Sequence, residues 1–212
     1  MSRHTLDNQG RSGYNRAVRK PKYFVAIVPE ALKDHTDLKV LLGKMKRTLK
    51  DREKEVRWSA PEMWHITLQF LGELNSEELT RAYSAINSWQ PQIKQLDLKI
   101  QGVGAFPDPQ DARVIWLGVQ NSQELKKLQI GLKAHLNAHN IETVEDRPFL
   151  PHLTLARLRN LQSVSDLVKL GGRKSFGEYK ISDVILFESV VQGAMVKYVP
   201  ISRKRIAPTA AQ

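Results

Sequence analysis

The sequence predicts a duplicated fold of mixed helix and strand, α+β or α/β, whose two halves close on a central cleft. Three observations carry this prediction. Apolar runs of strand length alternate with stretches of helical spacing along most of the chain. The phrase His65-Ile66-Thr67-Leu68 returns as His152-Leu153-Thr154-Leu155, once in each half. The 212 residues, of which 41% are hydrophobic, suffice for one substantial core arranged as two lobes.

Residues 1–20 carry Arg3, Arg11, Arg16, Arg19 and Lys20 against Asp7 alone, with few apolar side chains and two glycines. Such a segment cannot bury enough surface to offset the entropy of ordering, and reads as a flexible basic tail. A transit peptide has similar Arg- and Ser-rich, acid-poor composition, but no convincing amphipathic period is present. A single two-lobed domain is expected over 21–206, followed by a short C-terminal tail, 207–212.

Order begins at Tyr23-Phe24-Val25-Ala26-Ile27-Val28, an apolar β-rich run stopped by Pro29. Leu32, Leu38, Leu41, Leu42, Met45 and Leu49 then recur at helical spacing to about Lys50. A short strand at Val56-Arg57-Trp58 leads into the first motif strand, about Trp64 to Leu71. Ser76 is the expected N-cap of a helix running to about Trp89, with Glu77 and Glu78 in its first turn. Strands follow at about Leu96 to Val103 and Arg113 to Val119, then a helix from about Ser122 to His139. The second motif strand spans about His152 to Leu158, and strands near Tyr179 to Phe187 and Met195 to Ile201 complete the count. Gly102-Val103-Gly104 lacks the third glycine of a dinucleotide fingerprint and reads as a bulge or tight strand end.

Composition narrows the chemistry. With 33 basic against 22 acidic residues the net charge is +11, which favours a polyanionic partner. The absence of cysteine excludes disulfides, thiolate nucleophiles and Cys-ligated zinc. No apolar run approaches the roughly 18 residues of a membrane span, and the start does not read as a secretory signal. A cytoplasmic location is expected.

The repeated phrase is the strongest chemical signal. Residues two apart in a strand share a face, so each copy presents an imidazole beside a hydroxyl while Ile66, Leu68, Leu153 and Leu155 turn away. Two such strands facing each other would surround a small anion. Histidine titrates near neutrality, so a pair can divide general-acid and general-base work. Phosphodiester cleavage suits that division: one imidazole takes a proton from water, the other gives one to the departing oxygen, and hydroxyls with nearby arginines stabilise charge on the phosphorus oxygens. The scheme needs no metal. His135 and His139 stand i, i+4 on a predicted helix, but Leu136-Asn137-Ala138 lacks the glutamate of a metalloprotease helix, so the pair reads as helix surface.

With these residues in place, the sequence resembles the two-histidine phosphoesterase superfamily, and within it the RNA 2′,3′-cyclic phosphodiesterases, also called 2′-5′ RNA ligases. Tyr23 to Glu30 is similar to that family's opening strand, and Val56-Arg57-Trp58 to Gly72 to its stretch around the first histidine. Gly104-Ala105-Phe106-Pro107 and Val114-Ile115-Trp116-Leu117-Gly118 resemble its middle. Glu145-Asp146-Arg147-Pro148-Phe149-Leu150-Pro151-His152-Leu153-Thr154-Leu155-Ala156-Arg157 resembles its most distinctive segment. The likeness covers about residues 22 to 205.

The resemblance implies an α+β fold of two related lobes, each an antiparallel sheet with outer helices, and metal-independent, cofactor-free opening of a 2′,3′-cyclic phosphate to a 2′-phosphate. It implies His65 as proton donor and His152 as proton acceptor, with Thr67, Thr154 and Arg157 holding the substrate phosphate. Arg157 lies five positions after His152, a spacing that a regular strand aims at the opposite face, so a bulge or the strand's end must redirect it. Arg147 and Arg159 are basic candidates of lower rank. Phe70 and Tyr23 offer rings for stacking on a base, though a core role is the expectation for both. The implied partners are RNA ends or cyclic-phosphate nucleotides, with the protein acting as a monomer. The alternatives are a reversible 2′-5′ RNA ligase, a phosphodiesterase of small cyclic nucleotides such as ADP-ribose 1″,2″-cyclic phosphate, and a nucleotide-binding module without catalysis. The last is disfavoured by histidine and threonine in both copies, because arginine or lysine would serve mere anion binding as well.

Overall fold

A computed structural model describes residues 21–206 apart from 94, 121, 144–147 and 193–194. The expected N-terminal and C-terminal tails, and Arg147, lie outside the described residues. Nine strands are present among those described: β1 (Lys22–Ile27), β2 (Val56–Trp58), β3 (Ile66–Gly72), β4 (Leu96–Phe106), β5 (Ala112–Val119), β6 (His152–Gln162), β7 (Ser175–Ile181), β8 (Asp183–Gln192) and β9 (Met195–Arg205). Four α-helices accompany them: α1 (Thr36–Thr48), α2 (Ser76–Ser88), α3 (Gln123–Ala138) and α4 (Ser165–Gly171).

Every pairing is antiparallel, and the strands run in the order β7-β4-β5-β6-β3-β1-β8-β9, with β2 also paired to β6. The two motif strands, β3 and β6, are neighbours at the middle and meet at Ile66 and Leu153. Each side of this seam holds four strands of the path. One lobe is β3-β1-β8-β9, covered by α2 on β9 and α3 on β3; the other is β6-β5-β4-β7, with α4 on β4 and α1 against α4.

The lobes are not the two halves of the chain in sequence. Helix α1 follows β1 yet packs in the lobe of β6, whereas α3 precedes β6 yet covers β3. The expected single strand from Tyr179 to Phe187 is two strands that separate at Ser182. β7 pairs with β4 in one lobe and β8 with β1 in the other, so the chain crosses between lobes there. Alternation along the chain identifies elements, but burial of apolar faces chooses their partners. One continuous core does this: Leu38, Leu41 and Met45 of α1, Leu125, Leu128, Leu132 and Leu136 of α3, and the inward residues of the strands belong to the same buried cluster.

Local chemistry explains the start of α2. Asn75 Oδ1 accepts from the backbone N–H groups of Glu77 and Glu78, while the Glu78 carboxylate accepts from the Asn75 N–H, forming a capping box. The cap is therefore Asn75, not the expected Ser76, which becomes the first helical residue. Gly102 has φ +77°, and the register of β4 slips between Ile100 and Val103, so this glycine marks a bulge.

Candidate active site

Antiparallel pairing at Ile66 and Leu153 determines the centre of the cleft. Continuing that register places His65 across from Thr154 and Thr67 across from His152, which gives a diamond of two imidazoles and two hydroxyls on one face. Their alternate neighbours point the other way: Ile66, Leu68, Leu153 and Leu155 are all buried, and the four polar residues are only partly so.

The two histidines are anchored alike. His65 Nδ1 lies 2.8 Å from the Met63 carbonyl oxygen, and His152 Nδ1 lies 2.8 Å from the Leu150 carbonyl oxygen. A carbonyl can only accept, so each Nδ1 carries the hydrogen and each Nε2 is the nitrogen left for chemistry. Aromatic rings fix both planes. His65 lies 4.8 Å from Phe24 and 5.0 Å, edge-on, from Tyr198; His152 lies 4.9 Å, edge-on, from Phe106 and 6.4 Å from Trp116. The environments differ in polarity. A second buried cluster of Phe24, Ala26, Ile185 and Phe187 backs His65. This burial pushes the pKa of His65 down to about 4, assisted by the charges of Arg157 and His152 and opposed by the hydrogen bond to Met63. Tyr198 beside it is pushed up by burial, with Arg157 and Arg57 acting in the opposite direction.

Both motif strands bulge immediately after the threonine. In β6, Thr154 pairs with Trp116 and Ala156 with Ile115, leaving Leu155 as an extra residue; in β3, Thr67 pairs with Ala26 and Gln69 with Val25, leaving Leu68 extra. One inserted residue reverses the alternation of the strand. Leu155 and Ala156 are accordingly both buried, as are Leu68 and Gln69. The residue five places after each histidine, Arg157 in one copy and Phe70 in the other, thereby returns to the cleft face. Arg157 is exposed and its charge reaches both His65 and Tyr198. Phe70 is 36% exposed, with its ring 5.7 Å from that of Phe24. The core role expected for Phe70 is thus incorrect. Tyr23, by contrast, is a core residue whose hydroxyl donates to Glu188 at 3.3 Å.

Sequence reasoning missed Arg57. Strand β2 pairs with β6 just beyond the motif and sets Arg57 directly opposite Arg157. The available signal was a basic residue inside a short strand that leads into the first motif. Arg159 is exposed at the outer part of β6, where its carbonyl accepts from Arg113. His135 bonds with the Ala85 carbonyl at 2.9 Å and ties α3 to α2, and His139 Nδ1 donates to the His135 carbonyl at 2.9 Å. Among the described residues no group of three or more His, Asp or Glu side chains is arranged to hold a metal ion, and no helix is long and apolar enough to cross a membrane.

Comparison with known proteins follows the same outline. The family model described as AKAP7 2′5′ RNA ligase-like domain matches residues 21–203. A protein of Methanothermobacter thermautotrophicus named RNA 2′,3′-cyclic phosphodiesterase is 29% identical over 174 residues, 80% of this chain and 90% of that one. A protein of the same name from Archaeoglobus fulgidus is 35% identical over 132 residues, covering 62% of this chain and 73% of its own length. Among solved structures, TT0787 of Thermus thermophilus superposes with a TM-score of 0.69 at 23% identity, over 87% of this chain and 97% of that one. Escherichia coli LigT complexed with 3′-AMP superposes with a TM-score of 0.65 at 20% identity, over 90% of this chain and 100% of that one. The seam of paired His-x-Thr strands and the match over nearly the whole described chain lead to one conclusion: this chain belongs to the two-histidine phosphoesterases, among the 2′-5′ RNA ligase-like domains.

Proposed function

We propose that this protein is an RNA 2′,3′-cyclic phosphodiesterase that opens a terminal 2′,3′-cyclic phosphate to a 2′-phosphate. The observation that carries the reading is the pair of imidazoles held in the same tautomer, each beside the other strand's threonine. Relatives named for this activity and matching most of the chain support it.

In the proposed reaction a water oxygen attacks phosphorus while His152 Nε2 takes the water's proton. The bond from phosphorus to O3′ breaks as His65 gives its proton to that oxygen, and the 2′-phosphate remains. Thr67, Thr154 and Arg157 donate to the non-bridging oxygens, where negative charge accumulates. Phe70 offers the terminal base an exposed ring face. Burial favours the neutral form of His65, so it must take up a proton from solvent as the substrate anion binds. The phosphate anion, set among His65, His152 and Arg157, supplies the opposite charge that raises the histidine's pKa. Transfer of both protons returns the pair to its starting state after His152 and His65 re-equilibrate with solvent.

The test is turnover, in excess EDTA, of an oligoribonucleotide ending in a 2′,3′-cyclic phosphate, with identification of the product isomer. A 2′-phosphate is expected. Unchanged substrate, or a 3′-phosphate product, would overturn the proposal.

A further inference from the structure

Strand β9 carries a bulge of its own. Ser202 pairs with Leu186 and Pro200 with Phe187, which leaves Ile201 as an extra residue. Leu186 belongs to the main core, Ile201 packs against it, and the buried Ser202 hydroxyl donates to Asn87 Oδ1 of α2 at 2.7 Å. Past the bulge the alternation is reversed, so Pro200 and Tyr198 share the face of Phe187 and not that of Leu186. An unbroken strand would have turned Tyr198 toward the covering helix.

The consequence is a ring that reaches from an edge strand back to the seam. In the order β3-β1-β8-β9, Tyr198 stands at the far end of the lobe, yet its ring lies 5.0 Å, edge-on, from His65 and 5.0 Å, edge-on, from Phe24. Phe24, Phe70 and Phe187 already supply apolar rings there, so what Tyr198 adds is its hydroxyl. A half-buried tyrosine hydroxyl ordinarily finds a hydrogen-bond partner. That of Tyr198 has none among the described residues, and it is not sealed from solvent. The positive charges of Arg157 and Arg57 act on it, and Arg157 acts on His65 as well. Burial outweighs those charges and keeps the phenol protonated, so its oxygen has a hydrogen to donate. A donor without an acceptor in the protein, beside His65 and within the field of two guanidiniums, suits an anionic oxygen.

We propose that Tyr198 is a further substrate-binding residue of this site, its hydroxyl donating to one non-bridging oxygen of the cyclic phosphate beside Arg157. The inference rests on the phosphodiesterase reading above and adds a donor that neither His-x-Thr phrase contains. Negative charge grows on that oxygen as water attacks, so the bond strengthens toward the transition state and its loss falls on kcat as well as KM.

The experiment measures kcat and KM of the full chain and its Tyr198→Phe variant on an oligoribonucleotide ending in a 2′,3′-cyclic phosphate, and on its two diastereomers with sulfur replacing one non-bridging oxygen. Phenylalanine keeps the ring beside His65 and removes only the hydroxyl, so the His65 NMR midpoint should be the same in both proteins. Tyr198→Phe is expected to lower kcat/KM about tenfold on the oxygen substrate, with part of the loss in kcat. Sulfur accepts hydrogen bonds poorly. On the diastereomer whose sulfur takes the contacted position the variant should therefore fall within about twofold of the wild type, while on the other the loss should remain about tenfold. Full activity of the variant on the oxygen substrate, equal losses on both diastereomers, or a shifted His65 midpoint would overturn the inference while leaving the phosphodiesterase reading intact. A wild-type protein that does not turn over the cyclic phosphate would remove that reading, and the inference with it.

Discussion

Burying His65 beneath Phe24, Phe187 and Tyr198 makes the stability of this protein depend on a proton at the candidate site. The folded chain holds His65 at a pKa of about 4, against an ordinary value of 6.5. The unfolded chain therefore binds the proton more tightly, and acid favours unfolding. The sign follows directly: the contribution is complete above about pH 6.5, falls as pH drops through that value, and levels off below about pH 4. Between pH 8 and pH 5 the loss from this one group is about 2 kcal/mol. Urea denaturation of the wild type and of His65→Gln at both pH values isolates it, since other titrating groups cancel in the difference. The wild type should lose about 2 kcal/mol more than the variant on going to pH 5. Equal losses in the two proteins would refute the assignment of a depressed pKa to burial. Histidine NMR gives the companion measurement: the His65 midpoint should lie near 4 in the protein alone and rise when inorganic phosphate is added.

Other perturbations test separate links. Arg157→Ala should lower kcat/KM on a cyclic phosphate roughly a hundredfold, as expected for one lost donor to developing charge, while an Arg57→Ala change opposite it should cost less; steady-state kinetics of the two variants gives the ranking. Gly104→Ala would place a methyl 2.2 Å from the Trp116 ring, so overpacking should destabilise the fold by about 1–3 kcal/mol, read by urea denaturation. Asn75→Ala should cost about 1 kcal/mol through loss of the α2 cap, whereas Ser76→Ala should be nearly neutral in the same assay.

Much of this arrangement is legible in the sequence where local chemistry decides. Strand β2 occupies Val56–Trp58 as its apolar pattern indicates, and the alternation in His65-Ile66-Thr67-Leu68 and His152-Leu153-Thr154-Leu155 correctly separates buried from cleft-facing residues. Local signals tie at the start of α2, where Asn75 and Ser76 are both good caps; the backward reach of Glu78 to Asn75 decides between them. Helix α4 escapes sequence reading because its seven residues are too few to display a period. The split at Ser182 is invisible to periodicity, since both sides are strands and only their partners in different lobes distinguish them. The need to redirect Arg157 is apparent from its odd spacing, and the extra residue at Leu155 does so. Its counterpart at Leu68 leaves no such trace, because an apolar Phe70 after an apolar strand reads as core until the bulge turns it outward. Arg57 becomes a site residue only through pairing with a strand about a hundred positions away, which no local pattern encodes.

The central claim is that His65 and His152 act as one acid–base pair across the seam of β3 and β6. The measurement that tests it most directly is a double-mutant cycle on kcat for an oligoribonucleotide 2′,3′-cyclic phosphate, using His65→Ala, His152→Ala and both together. A pair that works as a unit predicts that each single change costs nearly as much as the double. Losses that simply add, or full activity in either single variant, would contradict it.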